Sequence, residues 1–366
     1  MKIGIINNLY KPYHKGGTEK VCENIINQLE KNGHSCFIIT TKPQELSEMN
    51  QNPKTYYLNS NYYNLGQKNI LYRFFWQINN FINLYQKKEI KKILINEKPD
   101  LILTHNLMGI NWKTFKIIKR LKIKHHHFLH DIQLIHPSGL MIYGKEKKIN
   151  SLISKIYQKI IKKIIGSPDL IISPSNWLLQ EHKKRNYFKN SKIKVQANPQ
   201  PFTDIKKIDQ TTLENYKKNK NTIDFLFIGQ IEEHKGIIFL IETFKKIGDK
   251  NIKLKIIGNG SLIDKIRKYS EVDNRIEILG QRNKEEIAIE LQKNDCLIVP
   301  SLCYENSPTV IYEAKAFSLP IIASNLGGIP ELITNKELLF EPGNQSNLIN
   351  KINNFIENNK NNLQNL

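Results

Sequence analysis

Residues 304–317 read YENSPTVIYEAKAF, which sets two carboxylates, Glu305 and Glu313, on either side of Ser307 and Pro308. Ser307 is expected as the N-cap of a helix through PTVIYEAKAF, with Pro308 in its first turn. The first backbone N–H groups of such a helix lack intrahelical partners and carry the positive end of its dipole, so they suit a phosphate. Carboxylates are poor neighbours for phosphate but good acceptors for sugar hydroxyls, since each offers several lone-pair positions. A ligand with phosphates in the middle and hydroxyl-rich rings at both ends satisfies the whole set. The plainer alternative is a Glu305 that complements the helix dipole and a Glu313 that faces water.

Other stretches bear on this choice. GQIEEHKGI (229–237) follows an apolar run and puts Lys235 beside a second helix start, where its ammonium would meet a diphosphate as a point charge. IIGNG (256–260) and ILGQR (278–282) are further glycine turns at the ends of apolar runs, each weak alone. PYHKGGTEK (12–20) is a glycine-rich turn that opens a helix and suits close approach of a phosphate to the backbone; a simple connector is the competing reading. His125, His126 and His127 open a strand, where successive side chains alternate between faces, so no metal site is expected of them. His130, in FLHD, falls at the functional end of that strand, whereas His136 belongs to the following loop. Cys303 lies close to the paired carboxylates without an evident basic partner and reads as packing.

The elements that must position these residues follow from the apolar runs. IGIINN, SCFIITT, PDLILTHN, KHHHFLHD, DLIISPS and KIKVQAN alternate with amphipathic stretches, one of which, TEKVCENIINQLEKNG, ends at Gly33. The rhythm restarts with DFLFIGQ, LKIIGNG, IEILGQ, CLIVPS, PIIASN and ELLFEPG. Continuous apolar runs alternating with helices imply parallel sheets covered on both faces. The fold class is therefore α/β, with two doubly wound, Rossmann-like parallel-sheet domains facing a cleft. The boundaries are 1–200 for a basic N-terminal domain, 201–345 for a C-terminal domain and 346–366 for a final helix and polar tail. Ligands of such sheets sit at the carboxyl ends of the strands, where the glycine turns and the glutamates fall.

Length and charge narrow the class. A chain of 366 residues with 40% hydrophobic content suits two domains with real cores. The opening MKIGIINNLY reads as a strand, not a signal peptide, and no run reaches the ~18 apolar residues of a membrane span. Cys22, Cys36, Cys296 and Cys303 suit neither a disulfide framework nor a zinc site, so reduced thiols in a cytoplasmic protein are expected. The net charge is +21, yet residues 1–200 hold 33 Lys and Arg against 12 Asp and Glu, while 201–366 hold 22 of each. In NSLISKIYQKIIKKIIGSPD, Ile153, Ile156, Tyr157, Ile160, Ile161 and Ile164 share a broad face opposite Lys155, Lys159, Lys162 and Lys163. Singly, such a helix reads as core-facing with solvated lysines. FINLYQKKEIKKILI and NWKTFKIIKRLKIK repeat it, and together with the charge asymmetry they point to an anionic membrane surface as partner of the first domain. A basic nucleic-acid-binding protein is a competing reading, although no aromatic-and-basic RNA motif or zinc-finger spacing is present and no nucleic-acid partner is expected.

Taken together, SLCYENSPTVIYEAKAFSLPIIASNLGGIPELI, the KGGTEK turn with its helix ending NGH, and PDLILTH resemble the retaining nucleotide-sugar glycosyltransferases of the "glycosyl transferases group 1" family, of GT-B architecture. The resemblance spans nearly the whole chain and is strongest over 223–343. It implies that Glu313 holds the nucleotide's ribose hydroxyls and that Glu305 contacts the donor sugar with loop amides around Asn306, Ser307, Pro308 and Thr309. It further implies that Lys235 neutralises the diphosphate, that the Gly16–Gly17 turn closes over it, that His130 reaches the sugar, and that the loop from Gly280 to Arg282 borders the base. Many members carry arginine where this chain has Gln230, which leaves diphosphate charge more heavily on Lys235. The implied reaction moves a sugar to a hydroxyl of a glycan or glycolipid with retention, with Glu305, His130 and Lys235 as the catalytic set. No Asp-x-Asp pair occurs, so neither metal nor cofactor is expected. A nucleotide-sugar epimerase of the same fold is the alternative reaction. The implied setting is bacterial surface polysaccharide or glycolipid assembly, in the cytoplasm or peripherally on the inner face of the plasma membrane.

Overall fold

The computed structural model describes residues 1–12, 17–42, 54–199 and 207–364. The chain divides into two units, Met1–Leu140 with Glu146–Pro199, and Met141–Lys145 with Gln200–Leu366. The final helix thus belongs to the second unit, and so does a five-residue stretch from the middle of the chain.

In the first unit the strands are β1 (Lys2–Ile6), β2 (Ser35–Lys42), β3 (Lys54–Asn59), β4 (Leu101–Thr104), β5 (Lys124–Phe128), β6 (Leu170–Ser173) and β7 (Lys192–Val195). Its helices are α1 (Gly17–Lys31), α2 (Ile70–Ile82), α3 (Leu84–Glu97), α4 (Thr114–Arg120), α5 (Leu152–Ile165) and α6 (Asn176–Lys183). All strands run parallel in the order β3-β2-β1-β4-β5-β6-β7. The order reverses between β1 and β4, and that is where a doubly wound sheet leaves a crevice for ligands. Ile3, Ile5, Ile38 and Leu103 fill one side of this sheet beneath Val21, Ile25 and Ile26 of α1. Strand β3 was not anticipated from its polar, tyrosine-rich sequence. It is tied down by Glu97, whose carboxylate takes Lys54 at 2.7 Å and Lys2 at 2.6 Å.

The second unit holds β8 (Ile223–Ile228), β9 (Ile252–Ile257), β10 (Ile276–Gly280), β11 (Cys296–Val299), β12 (Ile321–Ser324) and β13 (Leu339–Phe340). Its helices are α7 (Gln210–Lys218), α8 (Ile237–Lys245), α9 (Ile263–Val272), α10 (Lys284–Lys293), α11 (Thr309–Ala316), α12 (Ile329–Leu332) and α13 (Gln345–Gln364). The sheet is again parallel, ordered β10-β9-β8-β11-β12-β13, with its reversal between β8 and β11. One core layer packs Phe225, Phe227 and Ile256 against α8 and against Leu348, Ile352 and Ile356 of α13, so the last helix completes the core. The opposite layer packs Leu226, Leu297 and Val299 against Ile311 and Ala314 of α11.

At the carboxyl ends of β8, β9 and β10 the glycine turns stack backbone on backbone. Gly229 N–H bonds the Ile257 carbonyl at 3.0 Å, Gly258 N–H bonds the Gly280 carbonyl at 2.9 Å, and Ile231 N–H bonds the Asn259 carbonyl at 2.9 Å. A Cβ on Gly258, whose φ is +146°, would stand 1.8 Å from the Gly229 carbonyl oxygen. Only glycine permits that approach. Gly258→Ala is therefore expected to destabilise the protein by roughly 2 kcal/mol or more, read as a lowered Tm. Gly248→Ala, with nothing near its added carbon, is expected to stay within about 0.5 kcal/mol of the parent. Equal effects of the two substitutions would contradict this packing.

Candidate functional site

The loops that leave β8 and β11 flank the reversal of the second sheet, and each delivers one charged side chain to the same point. The loop after β8 turns through a short 3-10 segment, Glu233–Lys235, and enters α8 through Gly236 at φ +77°. A Cβ on Gly236 would meet the Pro300 carbonyl oxygen at 1.9 Å, so the β8 and β11 loops touch through bare backbone. That contact brings the Lys235 ammonium 2.5 Å from Glu305 Oε1. Ser301 Oγ donates to the same oxygen at 3.2 Å, and the Cys303 thiol lies 3.8 Å from it.

The electrostatics of the pair are reciprocal. Burial alone would push the Glu305 carboxyl up, but the Lys235 charge and hydrogen bond outweigh it and hold the group below the usual carboxylate range. Burial opposes the charge on Lys235 as well, yet Glu305 raises that ammonium above its ordinary value. Cys303 is pushed up to about 12, first by burial and then by the Glu305 charge. It is thus a neutral packing thiol beside the carboxylate, and all four cysteines are buried and free.

Glu305 is also fixed through its backbone. Gly328 N–H donates to the Glu305 carbonyl at 2.7 Å. Gly327, at φ +64°, packs so closely that a Cβ there would lie 2.3 Å from that carbonyl oxygen. The Gly-Gly of NLGGIPE thereby serves as a seat for the glutamate loop.

The helix that follows differs from its expected start. Pro308, not Ser307, occupies the cap position of α11, and no side chain caps it. The Ser307 hydroxyl instead pairs with Tyr312 Oη at 2.8 Å. The correction has a simple cause: Tyr312 lies one turn into the helix and offers a buried hydroxyl, which wins over the local backbone N–H. Asn306 and Ser307 are both buried, and Thr309 opens the helix. Glu313 does not face water; it is buried at 3% exposure on α11.

The remaining expected residues of this unit are less enclosed. Gln230 is exposed where the β8 loop begins, and Gly280 ends β10 at φ +71° with open space around it. Arg282 is exposed and bonds Glu286 at 2.9 Å, next to the capping box that Asn283 and Glu286 form on α10. Sequence reasoning missed Glu232, whose carboxylate accepts from the Ser261 N–H at 2.7 Å and hydroxyl at 2.6 Å. It also missed residues 141–145, where Ile142 bridges Cys303 in antiparallel fashion. There Tyr143 N–H donates to the Leu302 carbonyl at 2.9 Å, and Tyr304 N–H to the Met141 carbonyl at 2.8 Å. The Glu305 loop is therefore clamped from both sides. No spacing signal in MIYGK announces such a contact.

In the first unit, Gly17 is the first residue of α1, while Gly16 lies outside the described residues. His130 follows β5, and its Nε2 stands 2.8 Å from His105 Nδ1 with the rings stacked. Burial pushes His130 down to about 4 and His105 well below the usual imidazole range. The adjacent Asp131, also missed, is raised to about 6 by burial despite accepting from Gln133 N–H at 2.6 Å. His125 and His127 share one strand face and the Thr104 hydroxyl, at 2.7 and 2.9 Å. Among the described residues, no group of three or more His, Cys, Asp or Glu is placed to hold a metal.

This architecture has known counterparts. Residues 209–365 match the family described as "Glycosyl transferases group 1", and residues 15–199 match "Glycosyltransferase Family 4". A Klebsiella pneumoniae protein described as an uncharacterized 42.6 kDa protein in the cps region is 27% identical, over 91% of this chain and 87% of its own. A putative teichuronic acid biosynthesis glycosyltransferase, TuaC of Bacillus subtilis, is 25% identical over 56% of this chain and 51% of its own. The crystal structure of Anabaena HepE in complex with UDP-glucose superposes with a TM-score of 0.69 at 17% identity, over 98% of this chain and 91% of its own. The chain belongs to the glycosyl transferases group 1 family and is a glycosyltransferase with the two parallel-sheet α/β domains of GT-B proteins.

Because the Lys235–Glu305 pair is largely withdrawn from water, removing one partner strands the other. Lys235→Ala is expected to cost roughly 2 kcal/mol of stability near neutral pH. Burial alone would then act on Glu305 and raise its pKa, so the deficit should shrink as pH falls and that carboxyl takes a proton. The Lys235→Ala, Glu305→Ala double variant is expected to lose less than the sum of the singles, by about 1 kcal/mol or more. Chemical denaturation across pH measures both, and additive losses would show that the pair is not energetically coupled.

Proposed function

We propose that this glycosyltransferase takes its sugar from a nucleotide-diphosphate donor and transfers it, with retention, to a hydroxyl of a glycan or lipid-linked acceptor in surface polysaccharide assembly. The observation that carries the reading is the Lys235–Glu305 ion pair, held at the reversal of the second sheet beside the uncapped start of α11. The two charges of the pair offset each other. A diphosphate brings charge that competes for the Lys235 ammonium, and the released Glu305 carboxylate becomes an acceptor for sugar hydroxyls. The early N–H groups of α11, with the loop from Asn306 to Thr309, then face phosphate oxygens. Glu313, buried on the same helix, holds the ribose hydroxyls, while Gln230, Gly280 and Arg282 border the nucleotide. The UDP-glucose complex of HepE and the teichuronic acid setting of TuaC support the donor class and the polysaccharide context.

In the proposed reaction the bond from the anomeric carbon to the phosphate oxygen breaks. The acceptor oxygen bonds the same carbon on the same face, and the acceptor proton passes to a leaving phosphate oxygen. The protein's contribution is positioning and stabilisation of the charge that grows on the diphosphate, which falls to Lys235 and the helix terminus.

Two measurements bear on this reading. Glu313→Ala is expected to weaken binding of the preferred member of a UDP-, GDP- and ADP-hexose panel roughly tenfold or more by calorimetry; unchanged affinity would remove Glu313 from the donor site. Turnover is expected to persist in EDTA, because Lys235 and the helix terminus supply the counter-charge. Loss on chelation with recovery on adding manganese would overturn the metal-free mechanism.

A further inference from the structure

Ile153, Ile156, Tyr157, Ile160, Ile161 and Ile164 of α5 were expected on one broad apolar face, core-facing for the helix taken singly and turned to an anionic surface when the basic helices are taken together; the structure divides them. The core takes Ser154, Tyr157, Gln158, Ile161 and Ile165. Leu152 is 75% exposed, Ile153 78%, Ile156 53% and Ile160 44%. At ~100° per residue the helix carries three arcs. One faces the core, one is apolar and exposed, and the third holds the exposed Lys155 and Lys159, while the exposed Lys163 lies in line with the apolar arc near the C-terminal end of the helix. Monomeric proteins rarely leave such a row of β-branched and leucine side chains in water without a partner. The partner must accept apolar side chains and ammonium groups from adjacent arcs of one helix.

We infer that the exposed arc of α5 is a docking surface for an anionic lipid bilayer, with Leu152, Ile153, Ile156 and Ile160 entering the headgroup–acyl boundary and the lysines meeting lipid phosphates. That is how an amphipathic helix lies in a membrane interface. The chemistry disfavours the other occupants. A second copy docked on this face would bring its own lysine arc near this one, and like charges oppose that association. A nucleic acid would use the lysines but leave the isoleucines in water. The basic excess of the first 200 residues, 33 Lys and Arg against 12 Asp and Glu, strengthens attraction to an anionic surface. No helix among the described residues is long and apolar enough to cross a membrane, so the contact proposed is interfacial. The surface lies in the first unit and is independent of the donor residues of the second, so it stands or falls apart from the proposed reaction.

Flotation of the full chain with vesicles tests it. At low ionic strength the protein is expected to float with vesicles of equal parts phosphatidylcholine and phosphatidylglycerol, and not with phosphatidylcholine alone. Ile153→Ser with Ile156→Ser should reduce partitioning roughly tenfold. Lys155→Ala with Lys159→Ala should reduce it by roughly fivefold per lysine and flatten its salt dependence. All four positions are exposed, so unchanged thermal melting of the variants is the expected folding control. Absence of flotation with anionic vesicles overturns the proposal. Unaltered flotation of both variants, or concentration-dependent dimers that the serine substitutions abolish, overturns it as well. A second exposed stripe, Leu71, Phe75 and Ile78 on α2, gives the last arm: loss confined to Leu71→Ser with Phe75→Ser moves the surface away from α5 and overturns the assignment.

Discussion

A single ion pair organises the second unit's functional end. Lys235 and Glu305 come from loops that leave strands on opposite sides of the sheet's reversal, and they meet at 2.5 Å in a setting mostly shielded from water. Partly buried charges tolerate only a narrow geometry, because an unmatched carboxylate must be desolvated without return. The surrounding sequence is consistent with that demand. Gly236 lets the lysine loop lie on the Pro300 carbonyl, Gly327 lets its loop lie on the Glu305 carbonyl, and Ser301 gives the carboxylate a further donor. A buried pair is an inefficient route to stability, since well-packed apolar groups often do as well. Under the proposed function its value lies in what it offers a ligand that carries both phosphate and hydroxyls.

The second constraint is backbone proximity. The glycine turns after β8, β9 and β10 bond one another through main-chain groups, and Gly258 lies so close to the Gly229 carbonyl that no side chain fits there. Glycines that look like loose loop composition are in fact contact points between carbonyls. The same device holds the Glu305 loop, which Met141–Lys145 clamps from its other side. The loop is thus held by main-chain bonds, while its carboxylate is held by the Lys235 ammonium and the Ser301 hydroxyl.

Much of this was legible before any coordinates. Continuous runs such as CLIVPS and DFLFIGQ become buried parallel strands because burial on both faces leaves no room for alternation. The paired glutamates, Lys235 and the Gly-Gly segment were visible as a pattern, since loops at strand ends carry their own residue types. Choices that depend on tertiary neighbours were hidden. Ser307 has the composition of a cap, but Tyr312 supplies a partner that local spacing does not reveal. Strand β3 has no apolar alternation and is held by Glu97 from a distant helix. The apolar residues of α5 that share one face in the sequence divide between two arcs, Tyr157 and Ile161 in the core and Ile153, Ile156 and Ile160 in water, because periodicity does not say how much of a broad face the core covers. Asp131 beside His130 carried no spacing signal, and its raised pKa comes from packing alone.

The central claim is that Lys235 exchanges Glu305 for a diphosphate. A crystal structure of the protein with a bound UDP-hexose tests it most directly. The account predicts the Lys235 ammonium in contact with a phosphate oxygen and the Glu305 carboxylate turned onto a sugar hydroxyl. A bound nucleotide-sugar elsewhere on the chain, with the Lys235–Glu305 pair still closed, would contradict it.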